Sequence, residues 1–241
     1  MLSEAKDLRC EPWRDGSGTI IGWRSKGKDG QPAAPNRLLV FHGNAGYALN
    51  RAHYIRGFER LVDGQQWEVT LFEFPGYGAR PGYAGEKFFL KAGGEALHAL
   101  KAEDARPVYL LGESLGSGLA CSLAQKAPNQ IAGVFLVTPF ARIADVASIH
   151  FWYLPVRLLL RESWDNMKAL SSYDGRLAVL IAEQDEVVTA AQGKLLFGDF
   201  RGPKRLWTDA DATHNSVDFS AGAQWWQEVS EFLLSNSRNA K

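Results

Sequence analysis

Short apolar runs alternate with longer amphipathic segments along most of this 241-residue chain. Such alternation is typical of a mostly parallel sheet, because parallel neighbours need long crossover connections that are usually helices. Most of the short runs are continuous in Val, Leu, Ile and Phe, as expected where both faces of the sheet are covered. Central strands are predicted at residues 38–42, 69–74, 108–111, 134–138, 177–182 and 205–208.

The segments between these runs predict helices on both faces of the sheet, and residues 19–23 predict an earlier antiparallel strand. Right-handed crossovers then give a doubly wound α/β fold, with a ligand crevice at the carboxyl ends of the strands. Adjacent glycines at 93 and 94 weaken the helical pattern around them. Helices are predicted at residues 49–62, 85–101, 115–126, 187–197 and 224–235.

Residues 139–176 form a longer segment than a simple crossover needs, and they are rich in aromatic and apolar side chains. Two interpretations stay open for this segment. It is either a small cap over the crevice or a crossover helix packed on the sheet. Because no internal repeat or low-complexity linker interrupts the chain, residues 1–241 are predicted to form one domain.

Composition narrows the class of partner and the compartment. The 27 Lys and Arg residues balance 27 Asp and Glu residues, so we expect no nucleic-acid partner. Cys10 and Cys121 are not expected to form a disulfide, which favours a reducing compartment. Residues 1–10 lack an apolar leader, and residues 149–160 are too short and too interrupted to span a bilayer. We therefore expect a cytoplasmic protein with no integral membrane segment.

The pentapeptide at residues 112–116, G-E-S-L-G, lies between a predicted strand and a predicted helix. It matches G-x-S-x-G, a sharp strand-to-helix turn that exposes a serine. The two glycines of the motif remove the side chains that would collide in such a turn. Gly118 is expected to let the helix pack closely on the sheet. This motif in this context predicts Ser114 as a nucleophile.

A serine hydroxyl is a poor nucleophile unless a base takes its proton. In this topology the base follows the last strand, and His214 lies in that loop. A carboxylate that orients the imidazole should follow the preceding strand. Asp185 is the first choice there, and Glu183 and Glu186 stay open as alternatives. The order Ser114, Asp185, His214 is the order expected of this fold.

The remaining histidines suit a catalytic base less well. His53 and His98 fall in or beside predicted helices, where a position on the polar face explains them. His42 ends a strand in a His-Gly turn, where a structural hydrogen bond is expected. His150 lies in the 139–176 segment and stays open as an alternative base.

An oxyanion hole in this fold uses the backbone N–H after the nucleophile and a second N–H from the loop after the first central strand. The first of these donors is Leu115. The second loop reads H-G-N-A-G at residues 42–46. Asn44 is the preferred donor in that loop, and Ala45 stays open as the alternative.

Three short motifs together resemble the α/β-hydrolase superfamily. They are H-G-N-A-G at 42–46, F-P-G-Y-G at 74–78 and G-E-S-L-G at 112–116, within a resemblance that extends from about residue 19 to residue 234. Among its members they look most like a compact, lightly lidded group that includes carboxylesterases, lipid-ester hydrolases and acyl-protein thioesterases. The resemblance implies the fold and the triad. The chain differs in having Ala182 and Thr189 where many relatives carry a Gly before the acid loop and a Pro after the acid.

These observations predict a serine hydrolase that cleaves carboxylic ester or thioester bonds through an acyl-enzyme, with no metal and no cofactor. No H-E-x-x-H, paired C-x-x-C or complete phosphate-binding G-x-x-x-x-G-K-[ST] motif is present in the sequence. The expected substrate is a small molecule with a moderately hydrophobic acyl group, contacted by Ala45, Tyr77 and Trp152. Two other functions stay open. One is a small serine peptidase or amidase, and the other is a non-catalytic binding protein on the same fold.

Overall fold

The computed structural model describes residues 9–27, 33–61, 67–151, 153, 162–220 and 222–235. Within them the chain forms an eight-stranded sheet in the order β1-β2-β4-β3-β5-β6-β7-β8. The pairs β1–β2 and β2–β4 are antiparallel, and all other neighbours are parallel. The strands are β1 Cys10–Arg14, β2 Ile20–Ser25, β3 Asn36–Phe41, β4 Trp67–Phe72, β5 Val108–Glu113, β6 Ile131–Val137, β7 Arg176–Ala182 and β8 Lys204–Asp209.

The helices that join these strands confirm the predicted α/β architecture, with shifted ends. The helix predicted at 49–62 is a 3-10 turn, Ala48–Arg51, followed by a shorter α-helix, and the helix predicted at 187–197 starts later, at Ala190. The α-helices of the described chain are α1 Ala52–Glu59, α2 Glu86–Glu103, α3 Leu115–Lys126, α4 Ile143–His150, α5 Asn166–Leu170, α6 Ala190–Asp199 and α7 Trp225–Leu234.

Two apolar layers cover the two faces of the sheet. On β3, Leu39 and Phe41 face a layer that contains residues of α2 and α3. Leu38 and Val40 of the same strand face the opposite layer, which contains residues of α1 and α7. Because both faces are buried, the central strands have no need of polar alternation. Burying each large apolar side chain contributes roughly 1.5–3 kcal/mol to folding, before the cost of ordering the chain.

Helix α2 runs without interruption through its two adjacent glycines. A Cβ added at Gly93 would lie 2.9 Å from the Leu119 side chain of α3. The missing side chain therefore lets α2 and α3 approach each other. This packing outweighs the low helix propensity of glycine, which costs only about 1 kcal/mol per residue.

The close approach of α3 to the sheet occurs at Gly116, and the prediction for Gly118 is wrong. A Cβ added at Gly116 would collide with the backbone carbonyl of Phe41 at the end of β3. A Cβ added at Gly118 would instead lie 2.7 Å from the ring of Trp164. Gly118 therefore makes room for an aromatic side chain of the 139–176 segment.

The 139–176 segment contains α4 and α5, and an isolated bridge between Arg142 and Asp165 joins the residues that precede these two helices. Trp152, one of the predicted substrate contacts, lies outside the described residues. Cys10 and Cys121 are both buried, and they do not form a disulfide with each other. In the described part of the chain, no helix combines the length and hydrophobicity that crossing a bilayer requires.

Candidate active site

Ser114 occupies the turn between β5 and α3 in a backbone conformation that side chains rarely adopt. Its φ is 49° and its ψ is −114°. The Ser114 N–H donates to the carbonyl of Val137, and its own carbonyl accepts from the N–H of Ser117, each at 2.9 Å. Strain of this kind costs about 1–3 kcal/mol and persists only where surrounding contacts enforce it. The backbone conformation of Ser114 points its hydroxyl away from the sheet, as the G-x-S-x-G motif predicts.

His214 bridges Ser114 and Asp185. Its Nε2 lies 3.0 Å from the Ser114 Oγ, and its Nδ1 lies 2.7 Å from the Asp185 Oδ2. An ionised carboxylate can only accept, so the ring proton belongs on Nδ1 and the lone pair on Nε2 faces the serine hydroxyl. Ser114 lies 100 positions from His214 in sequence and Asp185 lies 29 positions from it, yet the three side chains form one hydrogen-bonded chain. This is the arrangement that a serine nucleophile would need.

Asp185 is the carboxylate that the loop after β7 brings to the histidine. Its side chain is only 1% exposed, and its Oδ1 accepts the N–H groups of Val187 and Val188 at 2.8 and 2.7 Å. Glu183 and Glu186, the two alternative carboxylates, do not contact His214. Glu183 forms an ion pair with Lys194 at 2.6 Å, and Glu186 is exposed.

The loop that carries His214 is held against the acid loop by backbone contacts. The N–H of Gln184 donates to the carbonyl of Ala212 at 2.9 Å. Within the histidine loop, the N–H of Thr213 donates to the Ser216 hydroxyl at 2.8 Å. These bonds fix both loops at the carboxyl edge of the sheet, where ligands bind in folds of this type.

A cavity of about 420 Å³ opens beside Ser114, and Asn44, Tyr77 and Leu115 also line it. Ala45 is exposed and is not among the lining residues. The described residues of the 139–176 segment supply part of the wall. Its lining residues are Phe140, Ile143, Val146, Glu162 and Trp164.

The turn at residues 42–46 is held in place by its first residue, the buried His42, which contacts the buried Glu73. His42 Nε2 lies 3.2 Å from the Glu73 Oε1, and its Nδ1 lies 2.7 Å from the Gly43 carbonyl. The Tyr77 hydroxyl donates to the Asn44 Oδ1 at 2.6 Å. His42 thus makes structural hydrogen bonds, as expected, and Asn44 is held at the cavity wall.

A second support comes from Glu113, the residue before the nucleophile. Its Oε1 accepts N–H bonds from the Arg51 Nε and Nη2 at 2.9 and 2.6 Å, and its Oε2 accepts the Tyr54 hydroxyl at 3.0 Å. A Cβ added at Gly43 would lie 3.2 Å from Glu113 Oε1 and 3.5 Å from the Ser114 Cβ. Glu113 and Ser114 therefore pack closely against Gly43 of the 42–46 turn.

The other histidines take no part in the hydrogen-bonded chain of Ser114, His214 and Asp185. His150 is exposed and its Nε2 contacts the Val187 carbonyl at 2.8 Å, while His98 is exposed on α2. His53 stacks on Phe219 with ring centroids 4.1 Å apart, and its Nε2 is buried without a hydrogen-bond partner among the described residues. Burial lowers the pKa of His53 from 6.5 to about 4.

This depressed pKa predicts an acid-dependent loss of stability. The unfolded chain binds a proton at His53 below about pH 6.5, whereas the folded chain does so only below about pH 4. Stability is therefore full above the higher value and falls as the pH drops between them. We expect His53→Phe, which keeps a ring against Phe219, to remove about 1–2 kcal/mol of the loss between about pH 7 and pH 5. Urea unfolding of both proteins at the two pH values measures this, and parallel pH dependences would contradict it.

The fold and the Ser–His–Asp arrangement are those of an α/β hydrolase, and the family comparison agrees. The chain matches the model of the alpha/beta hydrolase fold family over residues 36–169, more than half of its length, and belongs to that family. This confirms the resemblance drawn from its motifs. Within the described residues, no cluster of His, Cys, Asp and Glu could hold a metal ion.

Individual relatives include hydrolases and a protein of no assigned function. The chain is 29% identical over 199 residues to an uncharacterized protein of Mycobacterium tuberculosis, covering 81% of this chain and 69% of that protein. It is 25% identical over 203 residues to the lysophosphatidylserine lipase ABHD12 of Danio rerio, covering 77% of this chain but only 52% of the lipase. An esterase structure from Pyrococcus furiosus matches with a TM-score of 0.68 and 20% identity, over 95% of this chain and 92% of that one.

Sequence reasoning missed the residues that surround the triad. Glu113 lies within the G-E-S-L-G motif, but its ion-pair partner Arg51 carries no motif that marks it. Glu162 of the cavity wall was also missed, since it lies in a segment with no periodic pattern. A carboxylate between an apolar run and a tryptophan is the one signal that could have drawn attention to it.

Proposed function

We propose that this protein is a serine hydrolase that cleaves carboxylic ester or thioester bonds through an acyl-enzyme. The observation that carries the proposal is the hydrogen-bonded chain from Ser114 through His214 to Asp185, at the wall of a largely apolar cavity. Its hydrolase relatives support the reaction class. Residues 1–241 act as one catalytic domain, with the 139–176 segment as its cap.

In the first half of the reaction, His214 Nε2 takes the proton of Ser114 as Oγ bonds to the substrate carbonyl carbon. The carbonyl π electrons move onto oxygen, and N–H donors stabilise the resulting oxyanion. Leu115 is the first residue of α3, so its N–H has no acceptor within the helix. We assign the stabilisation of the oxyanion to the backbone N–H groups of Leu115 and Asn44. The intermediate collapses, the bond to the leaving alcohol or thiol breaks, and His214 returns the proton to it.

The second half reverses these roles with water as the nucleophile. His214 takes a proton from water, whose oxygen attacks the acyl carbon, and the same N–H groups hold the oxyanion. Collapse breaks the bond to Ser114 Oγ, which regains its proton from His214. Asp185 stays ionised throughout and stabilises the imidazolium that forms in each half.

The cavity indicates the acyl group. Aromatic and aliphatic side chains form most of its wall, including Phe89, Phe140, Val146 and Trp164. Pockets of this kind bind ligands mainly by removing apolar surface from water. The cavity therefore favours a moderately hydrophobic acyl chain over acetate. The relatives named as a lipase and an esterase support ester cleavage as the reaction.

We expect kcat/KM to rise from p-nitrophenyl acetate to p-nitrophenyl butyrate by roughly tenfold, because each buried CH2 contributes about 0.8 kcal/mol. A spectrophotometric series from acetate to laurate measures this, with the Ser114→Ala protein as the blank. A steady decline from acetate upward would contradict the apolar acyl site. Faster turnover of p-nitroanilides than of matched esters would favour an amidase, and no turnover together with tight binding of an ester would favour a binding protein.

A further inference from the structure

The cavity wall carries one acidic residue and no basic residue among its described lining side chains. That residue is Glu162, which enters the cavity from the 139–176 segment. Apart from it, the polar lining consists of Asn44, Tyr77 and Ser114. Asn44 and Tyr77 already have roles at the 42–46 turn, and Ser114 is the proposed nucleophile. Glu162 is the polar group that the proposed chemistry leaves unused.

The Glu162 carboxylate is held in one place by the start of α2. Its Oε2 accepts the N–H of Glu86 at 2.7 Å. In return, the carboxylate of Glu86 accepts the N–H and the hydroxyl of Ser163. The unpaired N–H groups and the dipole of a helix N-terminus both attract a negatively charged group at this position. The cavity wall therefore holds a fixed negative charge.

This charge and the Tyr77 side chain line the same cavity. Burial raises the pKa of the Tyr77 hydroxyl, and the nearby Glu162 carboxylate raises it further. Tyr77 in turn donates to the Asn44 Oδ1 at 2.6 Å. Glu162 thus lies near the Tyr77 hydroxyl on the cavity wall, and the apolar side chains around it screen its charge less than water would.

We propose that Glu162 is a specificity-determining residue that selects against acyl groups ending in a negative charge and favours those ending in a positive charge or a hydrogen-bond donor. The inference rests on the proposed ester hydrolysis and narrows its substrate class. An anionic acyl end would lose water and meet a second, fixed negative charge. A cationic or hydroxyl-bearing end would instead find a partner in the carboxylate.

The test compares three p-nitrophenyl esters of similar length with the wild-type protein and with Glu162→Gln. The esters are the hexanoate, the adipic acid monoester with its terminal carboxylate, and the 5-(trimethylammonio)pentanoate. Gln removes the charge, while its amide oxygen still accepts the N–H of Glu86. We expect kcat/KM to rise roughly tenfold for the anionic ester and to fall roughly tenfold for the cationic one. The neutral ester should change by less than about twofold.

Glu86→Gln is the matched control, because it neutralises the neighbouring carboxylate, which contacts Ser163 and lies outside the cavity lining, and it keeps the Glu86 N–H that holds Glu162. It should change the ratio of cationic to anionic kcat/KM by less than about threefold. An unchanged ratio in Glu162→Gln would overturn the inference, and so would an equal loss for all three esters, which would mark a purely structural role. Wild-type protein that turns over none of the esters would count against the proposed function itself.

Discussion

Ser114→Ala is expected to lower kcat for ester hydrolysis by about three to six orders of magnitude. The substitution removes the oxygen that lies 3.0 Å from His214 Nε2 and that forms the acyl-enzyme in the proposed mechanism. The rate that remains comes from the oxyanion donors and substrate binding alone. Because the Ser114 backbone N–H and carbonyl bonds persist, the fold should be retained. Stopped assays with p-nitrophenyl butyrate measure the loss, and circular dichroism checks the fold.

A fluorophosphonate probe gives an independent readout of the same prediction, since it labels only an activated serine. Ser171→Ala is the matched control, because Ser171 is an exposed serine at the end of α5 and does not line the cavity. Labelling and turnover should persist in Ser171→Ala and disappear in Ser114→Ala. Labelling that survives in Ser114→Ala would place the nucleophile at another serine.

The parallel part of the sheet could be predicted from sequence because its strands are buried on both faces. Such strands are continuous apolar runs that need no partner to be recognised. β1 was missed for the opposite reason. It is an edge strand whose buried side chains are Cys10 and Trp13, with Pro12 between them. Proline is tolerated at an edge, where one row of N–H groups has no strand partner, but it breaks the pattern by which strands are recognised.

The candidate triad could be predicted because each member follows a recognisable strand, and strand order fixes the edge at which the loops meet. The sequence could not choose among three carboxylates in one loop by chemistry alone. That choice depends on burial and direction, which place Asp185 against His214 and Glu183 against Lys194. The supports around the site, such as Arg51 on Glu113, arise from contacts between distant segments and leave no local pattern.

Asp185→Asn is expected to lower kcat by about four orders of magnitude while leaving the geometry of the site in place. The oxygen of the introduced amide can still accept the N–H groups of Val187 and Val188, as the Asp185 Oδ1 does. The NH2 of that amide then faces His214 and donates to Nδ1. The ring proton moves to Nε2, which can no longer accept the proton of Ser114. Steady-state kinetics with p-nitrophenyl butyrate measure the loss.

Two neighbours in the same loop make this prediction specific to Asp185. Glu183→Gln removes a charge that pairs with Lys194, and Glu186→Gln removes an exposed one, so each should change kcat by less than about threefold. Thermal unfolding of all three variants shows whether a loss of activity comes from the wrong His214 tautomer or from a destabilised fold. If Asp185→Asn kept most of its activity while Glu183→Gln or Glu186→Gln lost it, the histidine would take its orientation from that glutamate, and the 2.7 Å contact between His214 and Asp185 would not be the one that operates during turnover.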